Sequence, residues 1–272
     1  MFKSIGYVLK ENFNNLYRIY CIAKYELLSE MRDSKLGLFW NFASPMISVL
    51  TYWLIFGIAF HRKPVGDIPY LPWIVIGFGA WRFIQNGTVS GCNAIFAKTH
   101  VITKMKFPVS VLPATVCLKE LFNHLCMMFI AFVAVLAFGF KPNAYWLGIL
   151  YYMVCAFVYV EGLSLILSVS TMLLRDVKKL VVSLMRLFMY LSPVIWNCHF
   201  DETVPGHKIL NLFMELNPAY YIVNGYRDSV FYERAFWELP TETAIFWLTM
   251  AVLFAVGCSL MYKFKTKFID LI

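Results

Sequence analysis

Apolar runs of twenty residues or more, broken by short charged interruptions, are what most restrict this chain. A run such as LGLFWNFASPMISVLTYWLIFG has no polar face to turn toward water. About 20 apolar residues in a helix cross a bilayer's hydrocarbon core. Hydrocarbon offers the backbone no hydrogen-bond partners, so such runs must be helical. Charged residues make up 15% of the 272-residue chain, where a soluble domain carries about a quarter. The mean hydropathy is +0.65. The expected fold class is therefore all-α and integral to a membrane. The net charge of +8 would point to nucleic acid only if the basic residues shared one face. They sit instead in separate short loops, so no nucleic-acid partner is expected.

Six spans are expected: residues 36–60, 70–96, 111–140, 145–174, 180–198 and 243–262. The first contains Pro45, whose freed carbonyl requires cover from neighbouring helices. The second carries Arg82, Gln85, Asn86 and Asn93, too polar to face lipid all round, and should line the protein interior. Ahead of the spans, residues 1–35 read as an amphipathic interface helix, with Leu16, Tyr20, Ala23, Leu27 and Met31 at helical spacing. Residues 199–241 concentrate acids and hold LNPAYYIVNGYRDSVFY, too short to span. Asn217 followed by Pro218 marks a helix start there, and a re-entrant or interfacial helix pair is expected. The chain thus divides into an N-terminal helix, 1–35, and a six-span domain, 36–272.

Between spans two and three lies KTHVITKMKFPVSVLP, a short basic amphipathic turn that must project into water. Six spans put both termini on one face together with this turn. Fifteen Lys and Arg fall on that face against six on the other, which by the positive-inside rule makes it cytoplasmic.

The sequence contains no Walker A motif, no HExxH and no GxSxG. Seven scattered cysteines form no CxxC pair, and the five histidines are far apart, so neither a metal nor a catalytic site is expected. A membrane-embedded enzyme would have to draw on Asp201, Glu202, Asp228 and Glu233. The ionisable residues within spans are Arg82, Lys119, Glu120, Glu161 and Arg186. Such groups are costly in a bilayer and by default face a bundle interior or a water-filled path. Two readings stand for them: contact with an anionic head group or phosphate-bearing polymer, or structural pairing of Arg82 or Lys119 with Glu161. Arg186 has a third option, since it can snorkel to the interface. Trp40, Tyr52, Trp53 and Phe56 would suit a glycan path, since aromatic faces stack on sugar rings, or would serve as packing and interfacial belts.

Four stretches, read in order, carry a resemblance: LGLFWNFASPMISVLTYWLIFG; PWIVIGFGAWRFIQNGTVSGCNAIFAKTHVITKMKFPVSVLP; RLFMYLSPVIW; and LNPAYYIVNGYRDSV. Together they resemble the membrane subunits of ABC-2-type exporters of cell-surface polysaccharides, and among these are most similar to teichoic acid translocation permeases. The resemblance implies a bacterial plasma-membrane subunit that pairs with a second copy of itself and with two ATPase subunits. ATP and Mg would bind on those partners, with no catalytic site or cofactor on this chain. It implies a coupling helix at about 98–108, with Lys98, Val101, Ile102, Lys104, Met105, Lys106 and Phe107 meeting the ATPase. The cargo would be an anionic polymer on undecaprenyl diphosphate, wall teichoic acid in the main reading and O-antigen or capsular polysaccharide in the alternative. Arg18, Lys24 and Arg32 would attract it from the inner leaflet. A secondary transporter remains a further reading. It would require inverted repeats, and the two halves differ in loop length and polarity.

Overall fold

The computed structural model describes residues 2–32, 35–37, 39–61, 63–102, 104, 107–192, 194–196 and 207–265, apart from the side chains of 101, 210, 213 and 215. Among them the fold is helical, with one isolated β-bridge between Val65 and Ile68. The helices are α1 (Phe2–Asn14), α2 (Leu16–Arg32), α3 (Phe39–Tyr52), α4 (Tyr70–Cys92), α5 (Thr99–Ile102), α6 (Val111–Ala137), α7 (Gly148–Leu173), α8 (Asp176–Leu191), α9 (His207–Glu215), α10 (Pro218–Phe231) and α11 (Pro240–Phe264).

Among the described residues, four stretches are long and apolar enough to cross a membrane: Phe39–Ala59, Val111–Ala137, Ala144–Leu173 and Pro240–Phe264. Helix α8 has only 16 residues. Helix α4 is long enough, but it is the polar helix of the set. It occupies the centre of the bundle, with 17 of its 23 residues buried, and packs against α6, α7 and α10. That location meets the expectation for a helix too polar to be ringed by lipid. Close approach is made possible by a GxxxG spacing, Gly87 to Gly91. A Cβ at Gly87 would come within 2.5 Å of Val160, and one at Gly91 would overlap the Ser164 side chain, both on α7. Small residues at four-residue spacing let membrane helices approach to backbone contact.

Helix α3 contains the buried Pro45 and passes into a π-helical stretch, Trp53–Ala59. Pro45 removes the ladder hydrogen bond to the Asn41 carbonyl. The expected single N-terminal helix is two, α1 and α2, broken at Asn15, whose side-chain amide donates to the Glu11 carbonyl at 2.7 Å. The buried face of α2 is also turned from the expected stripe. Ile19 and Ala23 are buried, whereas Leu16 and Tyr20 are more than half exposed. The reason is that α2 lies against α6 and presents Glu30 to Lys119 there and Glu26 to Lys98 in the turn after α4.

After α8 the chain reverses through α9 and α10. Asn217 caps α10, accepting from the Ala219 N–H at 3.0 Å, with Pro218 in the first turn, as its sequence implied. The acids Asp201 and Glu202 and the basic segment beyond 265 lie outside the described residues.

Candidate functional site

The basic interruption that follows α4 folds as a short 3-10 turn, Phe96–Lys98, running into α5. It is tied to α2 and to the turn before α8, and the end of α11 lies against α1. Lys98 pairs with Glu26 of α2 at 2.7 Å. Arg18 of α2 lies 5.8 Å over the Phe107 ring, and Arg175, in the turn before α8, lies 4.9 Å over Phe96. Lys265, just beyond α11, sits 4.0 Å over both Tyr7 and Tyr262. Cation–π contacts of this kind contribute about 0.5–1 kcal/mol each at exposed sites. The N-terminal helices, the turn at 96–110, the turn at 174–176 and the end of α11 therefore gather at one end of the bundle. Between them opens a cleft of about 840 Å³, lined in part by Tyr7, Lys10, Glu11, Arg18, Phe107 and Lys265. Its back wall is held by the Ser110 hydroxyl donating to the Glu11 carboxylate. Glu11 also accepts from the Tyr7 hydroxyl at 2.7 Å. Burial and that neighbouring carboxylate push the Tyr7 phenol up to about 12.

The expected coupling residues are dispersed within this arrangement. Lys104 is exposed and Phe107 half-buried. Ile102 is only 4% exposed and packs inward with Val8, Ile95, Val109 and Leu112. Within this chain its side chain is therefore already covered, in one cluster with Val8 of α1 and Leu112 of α6. Met105, Lys106 and the Val101 side chain lie outside the described residues.

Apart from Arg186, the intramembrane charges form one cluster and one isolated group. Arg82 donates to Ser44 of α3 at 3.1 Å. Glu120 accepts from Ser90 at 3.1 Å and from Asn123 at 3.2 Å. Lys119 binds Glu30 of α2 at 2.6 Å and lies 3.9 Å from Glu120. Arg82, Asn86, Glu120, Asn123 and His124 surround a hollow of about 10 Å³, close to the space one water needs. Glu161 stands apart, buried beside Cys117, with Oε2 unbonded among the described residues. The expected pairing of Arg82 or Lys119 with Glu161 is therefore corrected. Cys117 and Lys119 lie about 200° apart around α6, so the face that meets Glu161 cannot also carry Lys119 toward it.

Arg186 is exposed on α8, in a stripe with Lys179, Ser183 and Tyr190, while Val181, Met185 and Met189 form the buried side. Tyr52 stacks with Phe56, packs on Phe78, and its hydroxyl lies 3.7 Å from the Met189 sulfur. Phe56 and Trp53 are half-buried and Trp40 is exposed. Arg18, Lys24 and Arg32 are all exposed along α2.

Sequence reasoning missed Arg227, counting it with solvated outer charges. Its side chain is 2% exposed and passes into the bundle. The guanidinium lies 3.4 Å from the centre of the Trp73 ring. It donates to the Trp73 carbonyl at 3.3 Å and the Val194 carbonyl at 2.9 Å. Gly77 makes the room: a Cβ there would overlap the Arg227 guanidinium. Tyr70 donates to the Ile195 carbonyl at 2.7 Å, and Asn217 to the Ser192 hydroxyl at 3.2 Å. His124 and Tyr226 are hydrogen-bonded at 2.9 Å, joining α6 to α10. The turn after α8 is thus sewn to α4 and α10. The sequence held the glycine of GFGAW, but nothing near it pointed to a partner so far along the chain.

A helical apolar bundle around one polar, glycine-notched helix, with its basic turns collected at one end, is the construction of an integral membrane protein. The family model described as ABC-2 type transporter matches residues 17–231, and the chain belongs to that family. The chain is 26% identical over 235 residues to the O-antigen export system permease protein RfbA of Myxococcus xanthus, covering 85% of this chain and 86% of the relative. It is 23% identical over 267 residues to an O-antigen export system permease protein RfbA of Klebsiella pneumoniae, covering 97% and 98%. Among the described residues no group of three or more His, Cys, Asp or Glu converges as a metal site.

Proposed function

We propose that this chain is the membrane subunit of an ATP-driven exporter of lipid-linked cell-surface polysaccharide. The observation that carries the reading is the ABC-2 family match over 17–231, together with relatives named as O-antigen export permeases along nearly the whole chain. Those names favour an O-antigen or capsular type of glycan over wall teichoic acid, the cargo that the resemblance of the sequence implied.

In this reading α4 and α8 complete six crossings, and α9 and α10 form a re-entrant pair at the outer face. Both termini, with the 96–110 turn, stand in the cytoplasm, as the charge bias supports. Two copies of the chain pair with two ATPase subunits, which bind ATP and Mg. Energy enters at the cleft between α1, α2 and residues 102–110. Lys104 and Phe107 are the described residues of the expected coupling segment that remain available for contact. The Lys98–Glu26 pair transmits that push to α2, and Lys119–Glu30 passes it on to α6. The exposed stripe of Lys179, Ser183, Arg186 and Tyr190 on α8 then borders the path between the two copies, with Tyr52 beside it. A charged stripe facing lipid would be costly, whereas facing a second copy it lines a hydrated path.

The test is reconstitution of this chain with its ATPase in proteoliposomes, with translocation of undecaprenyl-diphosphate-linked polymers followed by protection from an external glycosidase for glycans and from an external phosphodiesterase for poly(glycerol phosphate). ATP-dependent protection of neutral glycan supports the reading. Protection of poly(glycerol phosphate) alone would restore the teichoic acid cargo. Transport driven by an ion gradient without ATP would overturn the exporter assignment.

A further inference from the structure

At the end of the bundle opposite the basic turns lies a second concavity, of about 500 Å³. It sits where α4, α7 and α11 begin and where α10 runs out. Its size falls within the roughly 300–1,000 Å³ typical of small-molecule sites. The lining combines Tyr220, Asn224, Asp228, Tyr232, Arg234 and Glu242. The spacing of Tyr220, Asn224 and Asp228, four residues apart each time, puts one ring, one amide and one carboxylate in a row on one face of α10.

Three properties of this cleft call for a ligand. First, the Asn224 amide and the Asp228 carboxylate have no hydrogen-bond partner among the described residues, although both are half-buried. Their hydrogen-bonding capacity is thus left to water or to a ligand in the cleft. Second, the charges nearly balance. Arg234 and the Arg227 guanidinium face Asp228 and Glu242, and Arg227 is already committed to Trp73 and Val194. A phosphate would meet two carboxylates against one available cation, so the site does not suit an anion. Third, the aromatic surface is presented as a rim: Tyr232 is 47% exposed and Tyr220 half-buried. Interfacial belt tyrosines point outward to head groups, whereas these border a concavity.

Carboxylate and amide acceptors beside tyrosine faces match a ring that carries vicinal hydroxyls on its edge and C–H groups on its face. We propose that this cleft is a binding site for a neutral saccharide, with Asp228 and Asn224 hydrogen-bonding ring hydroxyls and Tyr220 and Tyr232 packing on the ring face. It rests on the export reading only in that a passing glycan would be its natural occupant. Its geometry stands without any ATPase.

The experiment uses the full chain in nanodiscs, without the ATPase, and saturation-transfer NMR with maltotriose, mannotriose, chitotriose and a glycerol phosphate trimer. At least one neutral trisaccharide should bind the wild type. Asp228→Asn and Asn224→Ala should each weaken that binding about tenfold or more, the loss expected for one hydrogen bond to a charged or polar partner, with the unfolding midpoint still that of a folded protein. Tyr232→Ala, at the exposed rim, should weaken binding without touching the interior and serves if either α10 variant fails to fold. Absence of binding by every neutral trisaccharide, binding unchanged in all three variants, or binding of the glycerol phosphate trimer alone would each overturn the proposal. ATP-driven export is scored separately, so failure of this site and failure of the exporter reading give different results.

Discussion

Replacing Gly77 by alanine should loosen the end of the bundle where α10 meets α4. The new Cβ would fall on the Arg227 guanidinium, which has no slack: it is pressed to the Trp73 ring and bonded to two carbonyls. Moving it forfeits two charge-assisted hydrogen bonds of about 1.5–3 kcal/mol each and a desolvated cation–π contact of about 2 kcal/mol. Relaxation of the long side chain recovers part of this, and alanine gains about 1 kcal/mol over glycine in a helix. The net expected loss is about 3 kcal/mol, a fall of roughly 6–12 °C in the unfolding midpoint for a chain of this size. The buried thiols of Cys92, Cys117, Cys155 and Cys258 give a direct assay, since a thiol-reactive dye reports their exposure on heating. Gly6→Ala is the control, because a Cβ there meets nothing within 4 Å. Adding Arg227→Met to Gly77→Ala should cost much less than the two single losses combined, because both remove the same contacts. Equal midpoints for Gly77→Ala and Gly6→Ala would refute the claim that Arg227 pins α10 and the 192–196 turn to α4.

Other expectations follow from individual contacts. Lys98→Glu should impair coupling of ATP hydrolysis to export, and the reversed pair Lys98→Glu with Glu26→Lys should restore most of it; no rescue in a combined ATPase and transport assay would mean that Lys98 acts directly on a partner. Gly87→Leu should prevent close packing of α4 on α7, where even a Cβ stands 2.5 Å from Val160, and reduce the yield of folded protein in detergent several-fold by size-exclusion chromatography. Burial raises the Asp228 carboxyl to about 6, against the pull of Arg234 and Arg227 and with the help of Glu242. The folded state then holds this proton more tightly than the unfolded state, so the contribution of Asp228 to stability falls as pH rises from about 4 to about 6. Asp228→Asn should flatten that part of the midpoint-versus-pH curve, and an unchanged slope would assign the effect elsewhere.

Much of the architecture was legible because membrane helices announce themselves by length and apolar continuity. The ends of α6, α7 and α11 fall within a few residues of the expected spans, and the Asn217–Pro218 cap was readable from two adjacent residues. The central position of α4 followed from Arg82, Gln85 and Asn86, which lipid would not tolerate. What was hidden depended on partners distant in sequence. Glu26 and Glu30 looked like surface acids on an interface helix until α2 was laid on α6, where they meet Lys98 and Lys119. Arg227 looked solvated because nothing local reveals that Gly77, 150 residues earlier, leaves it a seat. Ile102 showed the limit of amphipathic reasoning: an apolar face on a short helix must be covered, but periodicity does not say whether the cover is a partner or α1 and α6. The break at Asn15 was likewise invisible to a periodicity that continues, slightly rotated, from α1 into α2.

The central claim is that this chain converts ATP hydrolysis by a partner into polysaccharide export through the end of the bundle around residues 98–107. Its most direct measurement is export of a lipid-linked glycan, together with ATPase co-purification, for Lys104→Glu with Phe107→Ala. Lys104 stands outside the buried Ile102 cluster, whereas Phe107 packs against its edge, so Lys104→Glu alone is measured beside the pair and the unfolding midpoint of each is read. Loss of the ATPase from the complex, or ATP hydrolysis persisting while glycan protection falls at least tenfold, is the predicted result. Full export with the ATPase still bound would contradict the account.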